Sequence, residues 1–230
     1  MGVCRIAAIL GLPALLAAQS GEAMLAKVDR LRNPLPLFSV ELSVQDGKRE
    51  MRWKVFAREN GDARVEGLSE KEKGRAVLVL GDDMWLLLPN SKRPLKVSPQ
   101  QRLLGPASGG DLARTRFAVD YSVSAQTDET LDGTACTRLD LQARRPSISF
   151  RSVRLWVRKG DGNPLKAEFV LPSGKLSKIV RYGAVGTALG HPVLSAMTVE
   201  DPRGPKAQLR FDHWAAVAVD PACFLLPEPK

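Results

Sequence analysis

The sequence predicts a mainly β protein, an antiparallel meander of about eleven strands forming one domain behind a short N-terminal helix. Three observations carry that expectation. Apolar and polar residues alternate with period two through most of the chain, dipeptides ending in glycine punctuate the alternating runs, and helical spacing is confined to a few short stretches. A chain of 230 residues, 44% of them hydrophobic, can bury one sizeable core, and β sandwiches or barrels of this length are single domains. A meander of so many strands closes or curls.

The first stretch, MGVCRIAAILGLPALLAAQSGEA, carries Arg5, an apolar run over 6–18, and small residues Ala18 and Ser20 at the minus-three and minus-one positions of a cut before Gly21. This is the pattern of a secretory signal peptide, and the run is shorter than the ~20 residues that span a bilayer. Residues 1–20 are therefore expected to be removed and 21–230 to form the exported domain. Cys4 precedes the apolar run, so the lipoprotein pattern, in which a cysteine closes it, is absent. Cys136 and Cys223 then remain, and in an oxidising compartment they either bridge or stay as buried thiols.

Next comes a helix over 22–31, with Met24, Leu25, Val28 and Leu31 at helical spacing and Asn33-Pro34 to end it. LFSVELSVQ then sets Phe38, Val40, Leu42 and Val44 on one face; Asp46-Gly47 turns the chain, and EMRWKVFA sets Met51, Trp53, Val55 and Ala57 on one face. Further strands are expected over 63–68, 75–80, 84–88, 135–144, 149–158, 165–171, 176–182, 193–200 and 207–214, separated by turns such as Asn60-Gly61, Asp132-Gly133 and Asp161-Gly162. Residues 92–119 interrupt the meander with prolines and glycines, and two helical stretches fall inside them, GGDLARTRF with Asp111 as N-cap and about two turns, and a weak one around SPQQRLLG.

Catalytic groupings are thin. His191 and His213 are the only histidines, neither in a metal-ligand spacing, and no nucleophile elbow or phosphate-binding glycine loop occurs. GAVGTALG over 183–190 follows a strand without opening a helix and reads as a loop; Asp82-Asp83 and Asp128-Glu129 read as solvated acids in turns. No cofactor, metal or enzymatic activity is expected. Lys and Arg outnumber Asp and Glu by 34 to 25, which suits an anionic partner. Arg154, Trp156 and Arg158 share one strand face, and Arg52, Lys54 and Arg58 another. Export argues against nucleic acid, leaving a solvated outer face with cation–π contacts, or one that approaches an anionic membrane peripherally.

Taken in order, MWLLLP (84–89), GGDL (109–112), DGTAC (132–136), VRLWV (153–157), NPLKAEF (163–169), SGKLSKIVRY (173–182), GHPVLSAMTVEDPR (190–203) and LRF (209–211) give the chain a series that resembles the LolA-like outer-membrane lipoprotein-sorting proteins. The resemblance implies an unclosed antiparallel β-barrel whose concave face, covered by the short helix and a helical or loop lid, holds acyl chains of a lipoprotein or another lipid. It implies a periplasmic carrier, with an inner-membrane transporter and an outer-membrane acceptor as partners; a lipid-sensing or exporter-accessory module is the alternative use of the same fold. In that fold the cavity lining is expected from Phe38, Val40, Leu42, Met51, Trp53, Val55, Trp85, Leu87, Leu155, Phe169, Met197, Leu209 and Phe211, although both faces of 84–88 are apolar. Where the family has an arginine–proline pair followed by aromatics, this chain has RENGDARVEGL (58–68), with Arg58 and Arg64 as the available cations.

Overall fold

Strand alternation and glycine turns settle into long antiparallel ladders in the computed structural model, which describes residues 12–91, 93–97, 115–202, 204 and 206–227. The chain begins with α1 (Leu12–Arg30). The first half of the sheet is β1 (Leu37–Asp46), β2 (Arg49–Arg58), β3 (Ala63–Gly67), β4 (Ala76–Leu80), β5 (Asp83–Leu87) and the two-residue β6 (Leu95–Lys96). A single-turn helix, α2 (Phe117–Asp120), leads into β7 (Tyr121–Leu131), β8 (Thr134–Ala143), β9 (Ser152–Arg158), β10 (Pro164–Val170) and β11 (Leu176–Tyr182). The small hairpin β12 (Val185–Ala188) and β13 (His191–Leu194) precedes β14 (Ala196–Glu200) and β15 (Lys206–Ala216), and a 3-10 turn over Pro221–Phe224 follows.

Thirteen strands make one sheet in the order β6-β5-β4-β3-β2-β1-β15-β14-β11-β10-β9-β8-β7, every neighbouring pair antiparallel, while β12 and β13 pair only with each other. The two end strands do not pair, so the sheet is open, as an unclosed barrel requires. The seam is bridged at one rim by side chains: Arg145 donates to Asp82 and to Asp120, each at 3.0 Å, and the Ser147 hydroxyl donates to Asp82 at 2.8 Å. Asp82 sits in the β4–β5 turn and Arg145 between β8 and β9, at opposite ends of the strand order.

Four strands were not expected. β7 carries polar residues on both faces along the sheet edge, which hides it from a period-two search; β6 is too short to show a period. GAVGTALG, expected to be a loop, forms most of the β12–β13 hairpin, and the run 193–200 breaks at Ser195 into two strands. The segment SPQQRLLG and Asp111 lie outside the described residues. Cys136 is buried on β8, Cys223 sits in the 3-10 turn, and both are free thiols.

The core is lopsided. Leu25 and Val28 of α1, and Leu31 just after it, are buried with Phe117, Tyr121, Leu139, Leu141, Phe150, Leu155 and Phe169, so the helix lies on the concave side of the half containing β7 to β10. Aromatic rings thicken this layer: Phe169 lies 5.0 Å from Phe150 and 6.3 Å from Phe117, centroid to centroid. Asp29 fastens α1 to α2 by accepting the backbone N–H of Phe117 at 2.8 Å and of Ala118 at 2.9 Å. Burial pushes the Asp29 carboxyl above its ordinary range, against the lowering effect of those two amides and of Arg32. Because Asp29→Ala strands two inward amides, it should lower unfolding free energy by about 2–3 kcal/mol in urea titrations, and Asp29→Asn, which keeps one acceptor, by less.

Candidate functional site

Over the other half of the sheet the same alternation produces an apolar wall that faces a cavity. Two rows of side chains cross β1 to β5 in register on the concave face. One runs Val40, Val55, Val65, Val77, Leu86, each directly opposite the next. The other runs Phe38, Ala57, Ala63, Val79, Met84. The alanines keep the second row low, and Trp53 stands opposite Gly67, where a Cβ would come within 2.2 Å of the Glu72 carbonyl oxygen. These rows, with Leu42, Val44, Met51, Leu209, Phe211 and Trp214, enclose a cavity of about 810 Å³, inside the usual ~300–1,000 Å³ range of ligand sites.

Trp214 reaches this wall through a bulge. The β1–β15 register slips between Ser39 and Glu41, and opposite the slip His213 takes a left-handed φ of 52°. The extra residue shifts parity, so that Phe211 and then Trp214, not His213, line the cavity. The Trp214 ring lies 5.5 Å from Phe38, and its buried indole N–H has no acceptor among the described residues.

The rim is polar and uneven. At the end where β1 and β2 separate stand Arg32, Asn33, Arg58, Asp62 and Arg116; Asp46, Glu72, Arg75, Lys178 and Asp201 line the remainder of the rim. Arg32 donates to the Thr115 carbonyl, which joins the end of α1 to the entry of α2. Tyr182, packed against the core near Arg32 and Asp29, has its phenol pushed up to about 12 by burial, with Arg32 opposing.

Of the residues expected to line a cavity, Phe38, Val40, Leu42, Met51, Trp53, Val55, Leu209 and Phe211 stand on this wall. Trp85 and Leu87 do not. Register pairs Trp85 with Leu78 and Leu87 with Ala76, and on β5 it is Met84 and Leu86 that join the wall. Parity there was ambiguous because the outer face is apolar too: the 3-10 turn packs on β3 and β4, with Leu78 and Phe224 both buried. Lys96 covers the Trp85 ring from the adjacent strand, 5.3 Å from its centroid. Leu155, Phe169 and Met197 face inward but belong to the packed core, since α1 and α2 cover their half of the sheet. Sequence reasoning missed Trp214, whose bulge has no sequence signature, and, Arg58 apart, the rim cations, which come together only through the fold.

The outer face is basic only in part. Trp156 donates its indole N–H to Glu129 and lies under Lys166 at 4.8 Å; Arg154 pairs with Glu168 at 3.2 Å, Arg52 with Glu41 at 2.8 Å and Arg158 with Asp161 at 3.1 Å. Carboxylates thus interleave the cations that share strand faces. Among the described residues no cluster of His, Cys, Asp and Glu is arranged to hold a metal, and no helix is long and apolar enough to cross a membrane.

An open antiparallel sheet wrapped around an apolar hollow, with a helix filling only one side, defines the half-barrel class of single-cavity proteins. Comparison with known proteins gives the family. A family model described only as "Uncharacterized protein" matches residues 67–224. Over 90% of this chain and 97% of its own, a LolA superfamily protein from Nitrosomonas europaea superposes with a TM-score of 0.78 at 29% identity. At the same coverages, a DUF1329 family protein from Desulfovibrio piger gives 0.75 at 18% identity, and a Vibrio parahaemolyticus domain described as an outer membrane lipoprotein-sorting protein gives 0.72 at 20%. No curated protein matches by sequence. The chain belongs to the LolA-like family.

Tyr182 supplies a pH test of the packing beside the rim. Its folded value near 12 exceeds the unfolded one near 10, so folding favours the neutral phenol; that contribution is complete below pH 10 and is lost as pH rises toward 12. Stability measured by denaturant titration should fall across that window, and Tyr182→Phe should flatten the fall.

Proposed function

We propose that the protein is a periplasmic carrier that takes the acyl chains of a lipoprotein or another lipid into the β1–β5 hollow and passes them between membrane partners, after export and removal of residues 1–20. One observation carries the reading: two registered apolar rows face a cavity of about 810 Å³ instead of a packed layer. Apolar surface left in that state is the exception in a well-packed domain, and hydrocarbon is the ligand that gains most by covering it. Each buried methylene contributes about 0.8 kcal/mol, so a sixteen-carbon chain gains on the order of 12 kcal/mol before ordering costs. Such a role needs no catalytic group, metal or cofactor. The donor would be an inner-membrane transporter and the acceptor an outer-membrane protein, by likeness to the family.

Native mass spectrometry of protein purified from the envelope should show co-purified acyl lipid, and a fluorescent fatty-acyl probe should bind the delipidated protein while changing the emission of Trp53 and Trp214. Recovery without lipid, together with no probe binding, would sink the reading. Val65 sits mid-row on β3 with its face toward the hollow, so Val65→Asp should weaken probe binding at least about tenfold while leaving the fold's circular dichroism unchanged, because it sets a carboxylate where hydrocarbon would lie.

A further inference from the structure

The apolar wall does not stop at the cavity. The row that runs from Val40 to Leu86 gains one more member across the last ladder, because Leu86 stands directly opposite Leu95 on β6. Leu95 therefore shares the concave face, and it is 48% exposed. Leu88 and Val97, on either side of that pair, line the cavity. A row with no polar side chain in it thus leads out of the hollow to the end strand of an open sheet, where no described strand pairs further.

The outer face of the same edge is apolar too. Trp85 and Leu87 stand there half-buried, so this strand pair offers hydrocarbon to its surroundings on both sides, where an antiparallel edge ordinarily hides one. Its charges are cationic or already paired. Lys96 lies over the Trp85 ring at 5.3 Å and pairs with Asp83 at 2.8 Å, and Asp82 is taken by Arg145 and Ser147. Arg93 is exposed, with its backbone N–H on the Ser91 hydroxyl and its guanidinium in no ion pair with a described carboxylate. A second copy has little to grip here, since β6 is two residues long, Pro94 has no N–H to give and Lys96 is charged. A bilayer asks for no ladder: exposed leucine, an indole with an ammonium above it and an uncompensated guanidinium suit the boundary between acyl chains and anionic head groups. The other basic strand face lacks these features, because Trp156 is buried and Arg154 and Arg158 are paired with Glu168 and Asp161.

We infer that the β5–β6 edge is the surface by which the protein docks on a bilayer containing anionic phospholipid, with Leu95 and Trp85 among the upper acyl chains and Arg93 at the head-group phosphates. The inference rests on the carrier reading and adds to it the place where the hollow meets the membrane. A chain leaving the bilayer enters sideways, along the row from Leu95 to Leu86, and stays on apolar surface throughout.

Flotation of the purified protein with vesicles of mixed phosphatidylglycerol and phosphatidylcholine reads the docking directly. The wild type should float with them, and less so as salt is raised. Arg93→Glu and Leu95→Glu should each lower partition about tenfold, whereas Lys175→Glu, the same charge change as Arg93→Glu on the exposed β10–β11 turn, should change it by about twofold or less. Hydrogen exchange on the wild type decides the matter if the variants misfold: amides of 93–97 should slow when vesicles are added, and those of 171–175 should not. Without vesicles, Arg93→Glu should bind the fluorescent fatty-acyl probe as the wild type does, which separates docking from carriage. An equal loss in Lys175→Glu, unchanged exchange at 93–97, or no partition into vesicles overturns the docking surface and leaves the carrier reading standing while the probe binds. A dimer that Leu95→Glu breaks, seen without vesicle binding, overturns it as well and gives the edge to a second copy. Failure of the probe to bind, with vesicle docking intact, overturns the carrier reading alone.

Discussion

One amphipathic helix has to serve a concave surface thirteen strands wide. Strand twist curls a sheet of this width, and whatever lies inside the curl must be covered by apolar side chains or left as space. Leu25 and Val28 of α1, Leu31 just after it and Phe117 of α2 cover the half containing β7 to β10, where Leu139, Leu141, Leu155 and Phe169 are buried almost completely. The rows on β1 to β5 receive no comparable layer among the described residues. The hollow follows from this shortage of filling, and its position follows from where the Asp29 clamp pins the helices.

The division of labour extends to polarity. On the half that is filled, charges on the outer face pair across strands, as between Arg154 and Glu168 or Arg138 and Glu129, which keeps a large sheet surface hydrated without a net field. Around the hollow, apolar rows run the length of the strands and charge is confined to the rim. The two ends of β1 lie roughly 30 Å apart at ~3.3 Å per residue, a distance that separates the Arg58 end from the Asp46 end and gives the cavity a direction.

Much of this was legible in the sequence where local rules and the fold agree. The β1–β2 hairpin, the strands after it and the long ladders β8 to β11 announced themselves by alternation between glycine turns, and Leu25, Val28 and Leu31 by helical spacing. Three things were illegible, each for a physical reason. An edge strand such as β7 buries little and so has no hydrophobic period. A strand that is apolar on both faces, such as β5 with the cavity on one side and the buried Leu78 beside it on the other, gives no parity signal, and Trp85 was assigned to the wrong face. A bulge resets parity without any residue to mark it, and Trp214 reached the wall that way. Leu155, Phe169 and Met197 show a fourth limit: alternation reveals which face is inward but not whether anything lies on it.

The seam between the sheet's two ends is held, at the rim where Asp82 meets Arg145 and Ser147, by side chains alone among the described residues. A closed barrel has a fixed circumference, because widening it means tearing a backbone ladder along a whole strand. Here the described residues on the two sides of the seam meet through side-chain contacts and not through a backbone ladder, so strand pairing does not fix the circumference.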